Sequence, residues 1–318
     1  MTELPHGWSI RRPTLDDAPA LLKLVHASDI AAIGYPDYSP EEVREALTEP
    51  NTDMARDCWV ALDDGGRIVG WTYPGNATGE SRDFIEVYVW PVDGLPAMRP
   101  LLELMLARVA ERKTEFGHET YEVRAGAVPS ETAYIDLLTE HGFAFLKQHA
   151  RMQIPLAGVT PVASEPPVGV TLRTVRPGDE ADLRAFHAVI EQAFLDSDHR
   201  SASYESWRRQ VGEDPAPVFD EWFVAEVDGV VAGVLESSYD SDEDSGEGWV
   251  KRLAVLGSYR KRGLGEALLR RAFAAYAAKG RDKAGLGVDM ANPTRAARLY
   301  LAVGMKPLYE ANIYAKTI

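Results

Sequence analysis

The sequence predicts an α+β protein of two similar halves, each a mostly antiparallel mixed sheet flanked by helices. Three observations lead there: segments recur at a constant offset, strand-like and helix-like runs alternate in a repeated order, and a proline-rich stretch separates the two sets. Ile10-Arg11, Asp17 and Leu21 return as Leu172-Arg173, Asp179 and Leu183, each 162 residues further on. Gly142-Phe143 and Gly304-Met305 keep the same offset. Matches in order at one spacing indicate a tandem duplication.

Taken in chain order, each half opens with a short strand, at Ile10 or Leu172, followed by one or two helices. A hairpin comes next. In the first half it is Val60-Ala61-Leu62-Asp63-Asp64-Gly65 with Ile68-Val69-Gly70. In the second it is Val224-Ala225-Glu226-Val227-Asp228-Gly229 with Val231-Ala232-Gly233. Apolar strands flank an Asp-Gly turn in both, and Asp-Gly accepts the positive φ of tight hairpins. A long strand follows, residues 84–89 or 249–255, then a helix, a strand, a helix and a closing strand. Between the halves, Pro155, Pro161, Pro166 and Pro167 interrupt a run without helical periodicity, which reads as a linker. The expected division is a domain at 1–155, a linker at 156–169 and a domain at 170–318.

Composition narrows the function. The net charge of −15 lacks the basic footprint that nucleic-acid binding needs. It suits a cationic small-molecule partner better than an anionic one, although solubility alone is the simpler reading. No apolar run is long enough to cross a membrane, and the first residues carry no secretion pattern, so a cytoplasmic protein is expected. The single cysteine, Cys58, allows no internal disulfide or cysteine cluster, and beside Trp59 it reads as buried and inert. His187 and His199 with Asp196 and Asp198 lack tight ligand spacing, so no metal is expected. Trp222 and Trp249 read as core, with the border of an apolar acceptor cleft as the alternative. Nothing in the sequence specifies an oligomeric state.

The chemistry concentrates late in the chain. The strand Trp249-Val250-Lys251-Arg252-Leu253-Ala254-Val255 runs through a short loop into Arg260-Lys261-Arg262-Gly263-Leu264-Gly265-Glu266. A helix follows, with Leu264, Ala267, Leu268, Arg271, Ala272 and Ala275 in helical rhythm. Glycines at such a junction let backbone N–H groups approach a phosphate, and the helix start adds unsatisfied donors and a positive dipole end. The basic triplet 260–262 puts formal charge at the same point. Taken alone, the loop reads equally as a phosphate site or as an ordinary glycine turn; neither the Walker pattern nor a dinucleotide fingerprint is present. Downstream, Asn292 suits an N-cap, Pro293 the first helical position and Gly304 the stop. Ala296, Leu299, Tyr300 and Val303 share one face of that helix.

A long strand, Arg-x-x-Gly-x-Gly, a helix, a strand and then Asn-Pro-x-x-Ala-x-x-Leu-Tyr-x-x-x-Gly resembles the GNAT acetyltransferase family, and the chain as a whole resembles its two-domain members. The resemblance implies acetyl-CoA or another acyl-CoA as cosubstrate and N-acyl transfer to a primary amine of a small molecule. It implies that the loop 260–266, chiefly Arg262, Gly263 and Gly265 with Lys261, Leu264 and Glu266, holds the pyrophosphate. It places Leu253, Ala254 and Val255 against the pantetheine arm and thioester, Asn292 beside that arm, and Tyr300 as the acid for the departing thiolate. A core tyrosine with a satisfied hydroxyl is the alternative for Tyr300, and the motif around it favours the acid role.

The base is read from strand geometry. Glu247 comes first, since steps of two would put it on one face with Trp249, Lys251 and Leu253. Glu236, at the end of the hairpin, comes second. Glu247 also reads as the last member of the acidic run 240–247, a solvated loop. In the first half the glycine loop is missing, Asp93 brings negative charge to its place, Leu138 stands at the Tyr300 position and Ser130 at the Asn292 position. That half is expected to be degenerate. A non-catalytic acyl-CoA-binding protein and a protein N-acetyltransferase remain alternatives.

Overall fold

The computed structural model describes residues 4–76, 79–160, 165–195, 201–213, 218–238, 246–290 and 296–318. Two compact units emerge: residues 1–149 with 309–318, and residues 150–308.

The first unit contains β1 (Ser9–Arg11), α1 (Ala18–Ile33), α2 (Pro40–Thr48), α3 (Met54–Asp57), β2 (Trp59–Leu62), β3 (Ile68–Gly75), β4 (Arg82–Val89), α4 (Leu95–Glu115), β5 (Glu122–Ala127) and α5 (Thr132–Glu140). The chain continues through β6 (Ala144–Pro155), β7 (Val170–Thr174), α6 (Glu180–Ala193), α7 (Tyr204–Glu213), β8 (Phe223–Val227), β9 (Val230–Ser238), β10 (Glu247–Val255), α8 (Leu264–Ala278), β11 (Lys283–Asp289), α9 (Ala296–Ala302) and β12 (Lys306–Thr317).

The sheet of the first unit runs β1-β2-β3-β4-β5-β12, and that of the second β6-β11-β10-β9-β8-β7. In each, one pair is parallel, β4 with β5 and β10 with β11. Hairpin neighbours such as β2 with β3 and β8 with β9 are antiparallel. The α+β class with a mostly antiparallel sheet is therefore what forms. The division of the chain differs from the sequence expectation. From Tyr309 onward β12 belongs to the first unit, where Asn312 to Thr317 pair with Ala127 to Glu122. Residues 150–155 of β6 belong to the second. The expected linker is not a free tether either: Leu156 is buried in the second unit's core, Val159 packs on it, and Leu156 N–H donates to Asp282 O at 2.7 Å.

Two apolar clusters flank each sheet. In the second unit, Leu264, Leu268, Leu269, Ala272 and Phe273 of α8 pack with Val250 and Leu286. On the other face Leu183, Phe186 and Ile190 of α6 and Trp207 of α7 meet Val224, Val234 and Ala254. Each Val, Leu, Ile or Phe among them contributes roughly 1.5–3 kcal/mol by leaving water. Trp222 is core as expected, 3% exposed with its Nε1 donating to Ser237 O, while Trp249 is only half-buried. The first unit is braced by buried charge: Arg112 (1% exposed) reaches Asp57 at 2.9 Å and Asp83 at 2.9 Å, tying α4 to α3 and β4.

The second hairpin turns as expected, with positive φ at Asp228 and Gly229. The first does not turn on Asp64-Gly65. Asp63 N–H donates to Arg67 O across a longer loop, and the left-handed residue is Gly66. No described helix is long and apolar enough to cross a membrane.

Candidate active site

The site is built where β10 parts from β11. The two strands pair in parallel only at Glu247↔Lys283, Gly248↔Ala284 and Trp249↔Gly285. Beyond Trp249 they splay, although β10 continues to Val255 and β11 to Asp289. On its other side β10 stays paired with β9 through Val255↔Gly233. Leu256 N–H donates to Ala232 O at 2.9 Å, so by strand alternation Ala254 also points its backbone at β9. Leu253 and Val255 then point theirs into the splay. The Val255 carbonyl confirms this direction, for it accepts from Arg260 Nε at 3.1 Å.

The register of β10 shifts between Val250 and Arg252. This bulge corrects the expected face pattern. Gly248 faces Tyr276 of α8, so Glu247 and Trp249 lie on the opposite face, that of α6 and α7. The extra residue then brings Leu253 and Val255 onto the α8 side, where they join its apolar cluster. Glu247 and Leu253 do not share a face.

Around the loop, a short 3₁₀ turn at Gly257–Tyr259 leads to Lys261 (φ 62°) and Gly263 (φ 83°), both left-handed. Left-handed residues interspersed in a loop are the conformation of backbone anion nests. Lys261, Arg262 and Gly263 are exposed. Gly263 is the N-cap of α8 and has no side chain to cap it; the first intrahelical bond is Ala267 N–H to Gly263 O at 3.0 Å. The N–H groups of Leu264, Gly265 and Glu266 are thus the helix's orphan donors. Arg260 is spent on the scaffold: its Nη2 also donates to Ala193 O at 2.9 Å. The Glu266 carboxylate pairs with Arg270 at 2.9 Å.

Gly265 marks where these parts meet. A Cβ there would lie 2.9 Å from Leu299 Cδ2, 3.9 Å from Val255 Cγ2 and 4.0 Å from Leu253 Cδ2. Strand end, helix start and α9 are therefore in van der Waals contact at one point. Tyr300, next to Leu299, is 8% exposed and its hydroxyl has no hydrogen-bond partner among the described residues. Burial raises its phenol to about 12, so it holds its proton throughout the neutral range. Asn292 lies outside the described residues, as do the acidic residues 240–245 and His199, Asp196 and Asp198.

Both candidate bases are buried and paired. Glu247 (6% exposed) accepts from Arg151 Nη2 at 2.7 Å and Gln153 Nε2 at 2.9 Å, against the bare Cα of Gly285. Glu236 (1% exposed) accepts from Arg252 Nη1 at 2.7 Å and lies 3.4 Å from Lys251 Nζ, which is 46% exposed. Arg151 and Gln153 were invisible to sequence reasoning. They lie on β6, nearly a hundred residues upstream, and no local pattern joins them to Glu247.

The first unit repeats the splay but not the cradle. There β4 and β5 pair only through Ile85↔Ala125. Leu95 N–H is taken by Val92 O at 3.4 Å, Pro96 has no N–H, and Ala97 N–H is taken by Gly94 O at 2.9 Å. A Cβ on Gly94 would sit 2.4 Å from Val69 O, so its turn is packed shut. Asp93 lies 3.5 Å from Arg67.

The family profile described as Acetyltransferase (GNAT) family matches residues 174–305. Those residues form a GNAT-family domain. The chain is also 34% identical over 171 residues to a mycothiol acetyltransferase of Thermobispora bispora, a match spanning 51% of this chain and 56% of that relative. Across almost the whole chain it is similar to the crystal structure of a GCN5-related N-acetyltransferase from Sphaerobacter thermophilus, with a TM-score of 0.86 at 25% identity over 99% of this chain and 97% of the other. A tandem GNAT protein from the clavulanic acid biosynthesis pathway shares the fold, with a TM-score of 0.66 at 18% identity over 98% of both chains. Tandem GNAT-like architecture accounts for both units.

Proposed function

We propose that the second unit transfers an acyl group, acetyl first, from acyl-CoA to a primary amine of a small molecule by direct attack in a ternary complex. The carrying observation is the meeting of the β10 splay, the uncapped start of α8 and α9 at Gly265. The Thermobispora relative, an acetyltransferase by name, supports the same reaction class.

In this reading the amides of Leu264, Gly265 and Glu266 receive the pyrophosphate, with Lys261 and Arg262 supplying charge and Arg260 holding the loop in shape. Pantetheine lies along the open edge of β10. The N–H groups of Leu253 and Val255 face the thioester carbonyl, while Ala254 packs on the opposite face. Asn292 is assigned beside the pantetheine on the family resemblance alone. The amine nitrogen attacks the carbonyl carbon, the C–S bond breaks, the Tyr300 hydroxyl donates its proton to the leaving thiolate, and the second proton the nitrogen sheds on becoming an amide restores that hydroxyl. The proton lost by the ammonium goes to a carboxylate. We place Glu236 ahead of Glu247 for that step. Glu247 is gripped by two donors from β6, whereas one partner of Glu236, Lys251, is an exposed chain that can swing away. The packed turn at Gly94 supports a first unit that does not take acyl-CoA in the same way. The acidic balance of the chain favours a cationic acceptor.

Calorimetric titration of acetyl-CoA into the wild type, Arg262→Glu and Gly263→Asp tests the coenzyme half; equal affinity in all three sinks it. Thiol release from acetyl-CoA on polyamines, aminoglycosides, amino acids and peptides tests the transfer. Tight binding with no release on any of them would favour a non-catalytic acyl-CoA-binding protein.

A further inference from the structure

The first unit holds a cavity of about 650 Å³ between α2 and the adjoining ends of β3 and β4. That is within the range of small-molecule sites. One wall is a cross-strand ladder. Tyr73 of β3 stands opposite Glu86 of β4, and Gly75 opposite Phe84, so these side chains share a face. Tyr38 completes the aromatic wall through a 2.7 Å hydrogen bond between its hydroxyl and that of Tyr73. The facing wall brings Glu42, Glu45 and Glu49 from α2 and the residue after it, with Gly75 leaving room for Glu49. No lysine, arginine or histidine lines the cavity among the described residues.

We propose that this cavity binds an organic cation, an ammonium-bearing small molecule whose charged head meets Glu86 and whose carbon body lies against Tyr73, Phe84 and Tyr38.

Glu86 is the first β4 residue beyond the last β4–β5 pair, Ile85↔Ala125, so it stands at the mouth of the splay. Among the described residues its side-chain partner is Tyr88, and none of them is a cation paired with it. Nearby, the Tyr134 hydroxyl (4% exposed) is an orphaned donor whose charged neighbours are Glu86 and Glu131. Burial, with Glu131 and Asp29 adding repulsion, pushes the Glu86 carboxyl up to about 8. Asp29 and Glu131 are themselves raised by burial. The titratable groups around Glu86 are thus Asp29, Glu42, Glu45, Glu49, Glu131 and tyrosines, with His26 behind the wall on the Tyr38 carbonyl and beside Asp29; an ammonium would supply the counter-charge that Glu86 itself lacks among the described residues. Aromatic faces strengthen its hold by cation–π attraction. A bare metal ion fits less well, because no three acidic, histidine or cysteine groups converge on one point among the described residues. Cation binding in this cavity is independent of acyl transfer in the second unit.

The test is calorimetric titration of the full chain with phenethylamine, its neutral twin 2-phenylethanol and its anionic twin phenylacetate. Expected are saturable binding of the amine at millimolar concentration or below, the alcohol roughly tenfold weaker or worse, and none of the anion. Glu86→Gln should weaken the amine roughly tenfold while melting at or above the wild-type temperature. Glu236→Gln, in the second unit, should leave the affinity unchanged. Three results overturn the proposal: no amine binding at millimolar concentration, equal affinity for the alcohol, or amine binding lost in Glu236→Gln and kept in a folded Glu86→Gln.

Discussion

Tyr300 is the residue on which the proposed chemistry turns most directly. Removing only its hydroxyl, Tyr300→Phe should lower kcat by roughly 10²-fold with little change in the KM for acyl-CoA, as steady-state kinetics would show. Its phenol, raised by burial from 10 to about 12, is protonated in both folded and unfolded chains below pH 10. Its contribution to stability is therefore complete below pH 10 and lost as pH rises towards 12. A spectrophotometric titration should show Tyr204 and Tyr300 ionising near 12, and Tyr300→Phe should lose one of the two. Glu86 follows the same sign. Its folded carboxyl is raised from 4.5 to about 8, so its share of stability is full below 4.5 and lost through about 8. Glu86→Gln should match the wild type at pH 4 and exceed it at pH 9 by of order 2–4 kcal/mol in urea unfolding.

At the scale of elements, a single extra residue in β10 decides which carboxylates could serve the thioester in the proposed transfer. Without the bulge at Val250 to Arg252, Glu247 would have shared a face with Leu253, which is what plain alternation predicts. With it, Glu247 and Glu236 both lie on the α6 and α7 face, and the backbone of Leu253 and Val255 is left to the ligand. If Glu236 is the base, Glu236→Gln should lower kcat by roughly 10²-fold with little change in the KM for acyl-CoA, while Glu247→Gln keeps the rate and loses stability instead. The start of α8 is similarly specific. Gly265→Val would drive a side chain into Leu299, and the KM for acyl-CoA should rise by about tenfold or more in initial-rate assays.

At the scale of the molecule, each sheet is completed by a strand from the far end of the other half's sequence. Residues 309–317 fill the place beside β5, and residues 150–155 the place beside β11. Expressed alone, 1–155 would leave β5 with an open edge, and 170–318 would leave β11 with one; such edges invite aggregation. Separate expression of the two segments should give insoluble or unfolded chains by circular dichroism. Co-expression should restore a folded complex. Two independently soluble, cooperatively melting segments would contradict the exchange.

Much of this was legible in the sequence. The duplication, the α+β class, the second hairpin and the loop entering α8 each rest on local rules: spacing, alternation, positive-φ residues and helix-start chemistry act over a few neighbouring positions. The absence of that glycine loop near Asp93 was legible for the same reason. The tertiary structure alone decided which closing strand joins which sheet, because β6 and β12 follow equivalent Gly-containing turns and carry no local mark of their partners. It alone placed the bulge that reverses the faces of β10, brought Arg151 and Gln153 onto Glu247, and enclosed Glu86 among tyrosines and carboxylates. Each of those depends on contacts between residues distant along the chain, where packing and charge burial choose among arrangements that local propensity leaves equal.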